Sequence, residues 1–157
     1  MSERPDSLGG VPPKDVTGQD QGWPHSIPQP VDPGHRVLIV EDDVELGVIL
    51  RTILARMGFE AWHAADGQQA LELYASEKPD LVLLDIALPD ITGWRLLEEM
   101  RERPHGGANP AFLVITAYGD PANRLMGKLQ GVQGYLIKPF KVEEIGRAVM
   151  SALQLHA

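Results

Sequence analysis

Four short apolar runs in this sequence each end in side chains that can hold a cation or a phosphoryl group. In chain order these side chains are Glu41 with Asp42, then Asp85, Thr116 and Lys138. If the runs are neighbouring parallel strands, their carboxyl ends meet at one edge of the sheet and the side chains converge. Clustered carboxylates need a cation, and oxygen ligands without histidine or cysteine favour Mg²⁺ or Mn²⁺ over Zn²⁺. The sequence therefore predicts a divalent-cation site beside a phosphoryl site.

Each of these residues has both a chemical and a purely structural interpretation. Asp85 can act as a nucleophile that forms an acyl phosphate, with Lys138 and Thr116 contacting the phosphoryl oxygens. Alternatively, Asp85 is a turn residue, residues 41–43 form a charged first helical turn, Thr116 caps a helix, and Lys138 is exposed. These structural interpretations are independent of one another, so their joint occurrence at four strand ends favours a site.

Strand-like and helix-like segments alternate along the chain in a way that positions these residues. The predicted strands are 36–40, 59–63, 80–84, 111–115 and 134–137. Apolar residues at steps of three and four predict helices over 43–57, 67–76, 93–102, 120–130 and 141–154. Such alternation indicates an α/β fold, a doubly wound five-stranded parallel sheet in the order 2-1-3-4-5, with 59–63 at an edge.

Composition divides the chain of 157 residues into two parts. Residues 1–34 hold more than half of the 13 prolines and hardly an aliphatic cluster, which predicts a disordered tail. Residues 35–157 are enough for one domain with its own core. A net charge of −8 without a basic run argues against nucleic-acid binding, and the absence of cysteine excludes thiolate chemistry. No apolar run is long enough for a membrane span, so we expect a cytoplasmic protein with no membrane contact.

The segment from about 35 to 155 resembles the receiver domain of two-component response regulators, the CheY-like superfamily. The resemblance rests on motifs in a fixed order: VLIVEDD at 37–43, DGxxAL at 66–71, PDLVLLD at 79–85, LPxxxG at 88–93, ITA at 115–117 and GYLIKPF at 134–140. So many motifs in sequence make the resemblance specific. It implies a flavodoxin-like fold and a domain that catalyses only its own phosphorylation and dephosphorylation.

The resemblance also implies a role for each residue of the predicted site. Asp85 is then the phosphoacceptor for a histidine kinase or phosphotransfer protein, and Lys138 contacts the phosphoryl group. The implied Mg²⁺ ligands are Asp85, Asp42, the backbone carbonyl of Ala87, and Glu41 acting mainly through a metal-bound water. A cis peptide bond before Pro139 is expected, as the family usually has one there.

For signal output, the resemblance implies a switch pair and a surface that responds to it. Thr116 is expected to move toward the phosphoryl group and Tyr135 to turn inward, reshaping the 119–155 face for an unidentified protein partner or for phosphorylation-dependent dimerisation. Because the sequence ends with the fifth predicted helix, we expect no output domain.

Two alternatives remain open at this point. The first is a phosphorylation-independent protein-binding module of the same fold. The second is a hydrolase with an aspartyl intermediate, although enzymes of that kind that resemble this fold carry a second aspartate where this chain has Ala87.

Overall fold

The computed structural model describes residues 35–103 and 109–156, and the predicted tail over 1–34 lies outside them. Within this part the chain forms one five-stranded sheet in the order 2-1-3-4-5, with every neighbouring pair parallel. The strands are β1 (Arg36–Val40), β2 (Glu60–Ala64), β3 (Leu81–Leu84), β4 (Ala111–Thr116) and β5 (Gly134–Ile137). The predicted fold class is therefore confirmed, including the edge position of β2.

Five helices alternate with the strands and cover both faces of the sheet. They are α1 (Val44–Arg56), α2 (Gly67–Glu77), α3 (Gly93–Glu102), α4 (Pro121–Gln130) and α5 (Val142–His156). On one face, α1 and α5 pack against the sheet through Leu50, Leu54, Ile145 and Val149. On the other face, α2 and α3 form a second core cluster. None of the helices in the described residues is long and apolar enough to span a membrane.

Strand composition explains this two-sided packing. Every residue of β3 and β4 is buried, and both strands are continuous apolar runs up to Thr116, as expected for central strands covered on both faces. By contrast, β2 leaves Glu60 exposed and Trp62 and His63 partly buried, which suits an edge strand.

Small differences from the predicted boundaries have local causes. The sequence pattern places Phe59 in the second strand, but its N–H donates to the carbonyl of Leu54, 3.0 Å away, so it closes the end of α1. At the carboxyl end of β4, Thr116 pairs with Ile137 and so extends that strand by one residue.

Helix α4 begins with a cap that the sequence did not single out. The side chain of Asp120 accepts from the N–H of Asn123, and Pro121 occupies the first helical turn. The interpretation of Thr116 as the cap of this helix is therefore wrong. Thr116 has no capping role in α4 and is available to the edge of the sheet where the strands end.

Candidate functional site

The carboxyl ends of β1, β3, β4 and β5 bring the predicted side chains to one edge of the sheet. Val40 is level with Leu84 in the β1–β3 pair, so the acids that follow these two strands emerge side by side. In the described part of the chain, the buried polar or charged residues are Glu41, Asp85 and Thr116. All three belong to the predicted site, and burying such groups is costly unless they are paired or used.

Lys138 joins the two buried acids. Its Nζ lies 2.6 Å from Oε1 of Glu41 and 2.8 Å from Oδ2 of Asp85, to which it donates a hydrogen bond. Burial lowers the pKa of Lys138, but hydrogen bonds to Asp85 and Glu41 and their negative charges outweigh it and raise that pKa overall. Lys138 is therefore positively charged at neutral pH.

Glu41 is completely buried, and its two carboxylate oxygens differ in their partners. Oε2 accepts the N–H of Asp43 at 3.0 Å, whereas Oε1 faces the Lys138 ammonium in the ion pair. Burial raises the pKa of Glu41 to about 7. Lys138 and the Asp43 N–H lower the pKa and the charge of Asp85 raises it, but burial is the largest of these effects. Glu41 thus carries an oxygen suited to a cation.

Asp85 is held in a defined orientation through both of its oxygens. Oδ1 accepts the N–H of Ala87 at 3.0 Å, while Oδ2 faces Lys138. The following turn lies tightly against the start of α3, where a Cβ on Gly93 would fall 2.7 Å from the carbonyl oxygen of Asp85. Glycine at position 93 therefore lets the helix approach the site closely.

A cluster of three carboxylates completes the geometry for a cation. Oxygens of Glu41, Asp42 and Asp85 all lie within 4.8 Å of one another, with Asp42 exposed and the other two buried. Oxygen ligands of this kind, open to solvent on one side, are those that Mg²⁺ uses while it keeps several waters. The predicted role of the Ala87 carbonyl stays a prediction, although Ala87 does lie beside Asp85.

Thr116 and Tyr135 are connected through the backbone of Tyr118. The Thr116 hydroxyl accepts the N–H of Tyr118 at 3.2 Å, and the Tyr135 hydroxyl donates to the Tyr118 carbonyl at 2.5 Å. Tyr135 also packs under the guanidinium of Arg124 on α4, 5.7 Å from the ring centroid. The predicted pair is therefore linked, but Tyr135 lies toward α4 and is not buried beside Thr116.

The structure thus brings together Glu41, Asp42, Asp85, Thr116 and Lys138 at one edge and places Tyr135 next to it. The Lys138–Pro139 peptide bond is cis, as the resemblance implied.

Sequence reasoning did not identify His63, whose ring lies 2.7 Å from the carbonyl oxygen of Glu41. The contact depends on strand register and leaves no pattern in the sequence, apart from a glycine at position 47, inside α1.

Comparisons with known proteins agree with this geometry. The family model described as response regulator receiver domain matches residues 37–150. The regulatory protein AtoC of Escherichia coli is 38% identical over 123 residues, covering 78% of this chain and 26% of AtoC. The probable transcriptional regulator ycf27 of Cyanophora paradoxa is 34% identical over 119 residues, covering 76% of this chain and 48% of that protein. The chain spans about half the length, or less, of such curated relatives.

Solved structures of similar fold lead to the same family. A CheY-like response regulator receiver domain protein from Methanospirillum hungatei JF-1 superposes with a TM-score of 0.70 at 28% identity, covering 78% of this chain and 95% of that one. A two-component response regulator from Clostridium difficile gives a TM-score of 0.69 at 26% identity, covering 76% and 96%.

Proposed function

Because this chain belongs to the response regulator receiver domain family, we propose that Asp85 accepts a phosphoryl group from the phosphohistidine of a histidine kinase or phosphotransfer protein. The observation that carries this proposal is the placement of Asp85 between a lysine and two further acids. Its carboxylate is almost fully buried, yet it adjoins the exposed Asp42 at the open side of the carboxylate cluster.

In the proposed transfer, one carboxylate oxygen of Asp85 attacks phosphorus and the bond from phosphorus to the imidazole nitrogen of the donor breaks. The bonding electrons remain on that nitrogen, and the other ring nitrogen of the donor is protonated, so the donor histidine leaves as neutral imidazole. Lys138 then exchanges part of its ion pair with Asp85 for contacts to the phosphoryl oxygens, and the Thr116 hydroxyl donates to one of them. Preorganised charge of this kind lowers the barrier because it needs no rearrangement during the reaction.

We further propose that the site binds Mg²⁺, with Mn²⁺ as a substitute, through Glu41, Asp42, Asp85 and the Ala87 carbonyl. The fit is supported by Oε1 of Glu41, a buried carboxylate oxygen that already faces the positive charge of Lys138, and by the close approach of three carboxylates. When bound, the cation neutralises negative charge on the phosphoryl group and the surrounding carboxylates.

The proposed output lies on the 119–155 face. On α4, Leu125 and Leu129 are 56% and 73% exposed, so this helix offers apolar surface to a protein partner or to a second copy of the chain. Movement of Thr116 toward the phosphoryl group would take away the acceptor of the Tyr118 N–H. Tyr118 also holds the Tyr135 hydroxyl, so the change would pass to the residue that packs against α4.

Intact-protein mass spectrometry after incubation with acetyl phosphate and Mg²⁺ tests the phosphorylation directly. We expect a gain of one phosphoryl group that requires the metal and disappears in Asp85→Asn. The matched control is Asp90→Asn, because Asp90 is also an aspartate of the β3–α3 loop but caps the start of α2. It should retain the phosphoryl gain.

The phosphorylated domain of the cognate histidine kinase is the second donor. A receiver that does not react with acetyl phosphate should still accept a phosphoryl group from its own kinase. Failure with both donors in a folded chain would reject the phosphoacceptor proposal. It would favour the phosphorylation-independent binding module.

A further inference from the structure

Both the N–H and the carbonyl of Glu41 are held by residues of the edge strand β2. Its N–H donates to the carbonyl of Ala64 at 3.0 Å, which continues the sheet beyond the last residue of β1. Its carbonyl oxygen lies 2.7 Å from Nε2 of His63. A carbonyl can only accept, so Nε2 carries the hydrogen and the imidazole is the donor.

The carbonyl that His63 contacts belongs to the peptide unit between Glu41 and Asp42. Since a peptide unit is planar, fixing its oxygen also fixes the direction in which the chain enters Asp42. Glu41 and Asp42 are the two acids of the cluster that come from the β1–α1 loop. The imidazole therefore contacts the one peptide unit that both loop acids share.

Helix α1 is adapted to this ring. A Cβ built on Gly47 would lie 2.3 Å from both Cε1 and Nε2 of His63, so the ring occupies the space of a side chain at that position. Glycine is a poor helix former, and Gly47 lies in the first turns of α1, where alanine would favour the helix. The contact with His63 gives a physical reason for glycine there.

We propose that His63 is a positioning residue for the Mg²⁺ site, and that the absence of a side chain at Gly47 leaves the space in which its ring reaches the Glu41 carbonyl. The inference rests on the proposed function, because it assigns His63 to the cation ligands Glu41 and Asp42. Residues that hold ligands by hydrogen bonds typically change metal affinity by about 10- to 100-fold when they are removed.

The test is a titration of the full chain with Mg²⁺, in which the amide chemical shifts of Asp42 and Asp85 report binding. We expect His63→Ala and Gly47→Ala each to weaken Mg²⁺ binding about 10-fold. His63→Gln keeps an N–H that can reach the carbonyl, so its affinity should stay within about threefold of wild type.

The double variant Gly47→Ala with His63→Ala separates positioning from packing. With the ring removed, the three atoms that would lie nearest to the methyl group introduced at position 47 are gone, so the second substitution should not weaken Mg²⁺ binding further. It should raise the thermal midpoint above that of His63→Ala alone, because alanine favours the helix.

Thermal midpoints measured without metal accompany every titration, because a purely structural role for His63 would lower the midpoint and leave Mg²⁺ affinity unchanged. Folded His63→Ala or Gly47→Ala protein with wild-type Mg²⁺ affinity would overturn the inference and leave the proposed function intact. If His63→Ala does not fold, folded Gly47→Ala protein decides in the same way, and His63→Gln should still keep its Mg²⁺ affinity within about threefold of wild type. Wild-type protein that binds no Mg²⁺ would instead reject the metal site itself, and the role of His63 with it.

Discussion

The site floor, formed by Glu41, Asp85, Thr116 and Lys138, and the exposed face of α4 are held in place by different kinds of contact. Glu41, Asp85 and Thr116 are buried in the sheet edge, and the partly exposed Lys138 forms ion pairs with the two acids. Gly127 is the one buried residue of helix α4, and the helix contacts its neighbours through a few polar and ring contacts. The fixed region suits chemistry that needs exact positions, whereas the lightly attached helix can change position at small cost.

The largest effect should follow from removing the charge at the centre of the floor. In Lys138→Met, Glu41 and Asp85 lose their shared cation, and breaking a buried pair leaves uncompensated charge. We expect a loss of about 2–4 kcal/mol in the free energy of unfolding without metal, a range set below the fully buried case because Lys138 is partly exposed. Phosphoryl incorporation from acetyl phosphate should slow by about 100-fold or more.

Urea denaturation in EDTA and again in Mg²⁺ measures this effect. Added Mg²⁺ should recover part of the lost stability, because it supplies positive charge to the same carboxylates. Lys128→Met is the matched control, since Lys128 lies on α4, away from the floor. Equal stability of Lys138→Met and wild type in EDTA would contradict the ion-paired floor.

A second prediction concerns the pH dependence that Glu41 gives to the floor. Its pKa is raised from 4.5 to about 7 in the folded protein, so between these pH values the folded chain binds more protons than the unfolded chain. Stability from this group is therefore present at low pH and is lost as pH rises through that window. The loss should amount to about 1–3 kcal/mol in metal-free protein.

Glu41→Gln removes this titration, so the difference in stability between wild type and variant, measured from about pH 4 to about pH 8, isolates it from other groups. Relative to the variant, wild-type protein should become less stable as pH rises. Mg²⁺ should flatten the wild-type curve, because it binds the ionised carboxylate. A difference that stays constant with pH would mean that burial does not hold Glu41 in its neutral form.

The sequence was sufficient to predict the sheet order and the meeting of the site residues. Alternating periods fix which segments are strands, and parallel neighbours place Asp85, Thr116 and Lys138 at one edge whatever the details of packing. The distances among Glu41, Asp85 and Lys138 were not predictable, because they depend on rotamers and on how deeply the loop after β1 is buried.

Contacts between separate helices and strands could not be predicted from the sequence. The His63–Glu41 contact requires the register of β1 with β2 and the approach of α1 at Gly47. Likewise, the capping of α4 depends on the path of the chain after Thr116, which decides that Asp120 and not Thr116 reaches the helix start. Local sequence preferences allow either residue as a cap.

A third, smaller effect should come from the contact between α3 and α4. The indole N–H of Trp94 donates to the side chain of Asn123 at 3.0 Å, and Trp94→Phe removes this donor while keeping an aromatic ring. We expect a loss of about 0.5–1.5 kcal/mol, which corresponds to roughly 2- to 13-fold faster amide exchange along α4 where exchange proceeds by local opening.

Trp62→Phe is the control, because Trp62 lies on β2 and packs with Arg36 instead. Hydrogen exchange followed by mass spectrometry compares the two variants over residues 121–130. Faster exchange of α4 in both variants, or in neither, would show that the Trp94 contact does not secure this helix.

The smallest effect on stability should come from Tyr135→Phe, which removes the hydrogen bond to the Tyr118 carbonyl and keeps the ring that packs with Arg124. Because this hydroxyl is exposed, we expect a loss of no more than about 1 kcal/mol. Mg²⁺ affinity and phosphoryl gain on Asp85 should match wild type, since none of the floor contacts is changed. The effect should appear instead in α4, as a smaller difference in amide exchange between phosphorylated and unphosphorylated protein.

If Tyr135→Phe slowed phosphorylation as Lys138→Met is expected to do, the floor and the α4 face would have to act as one unit, because a change confined to the face would then alter the chemistry.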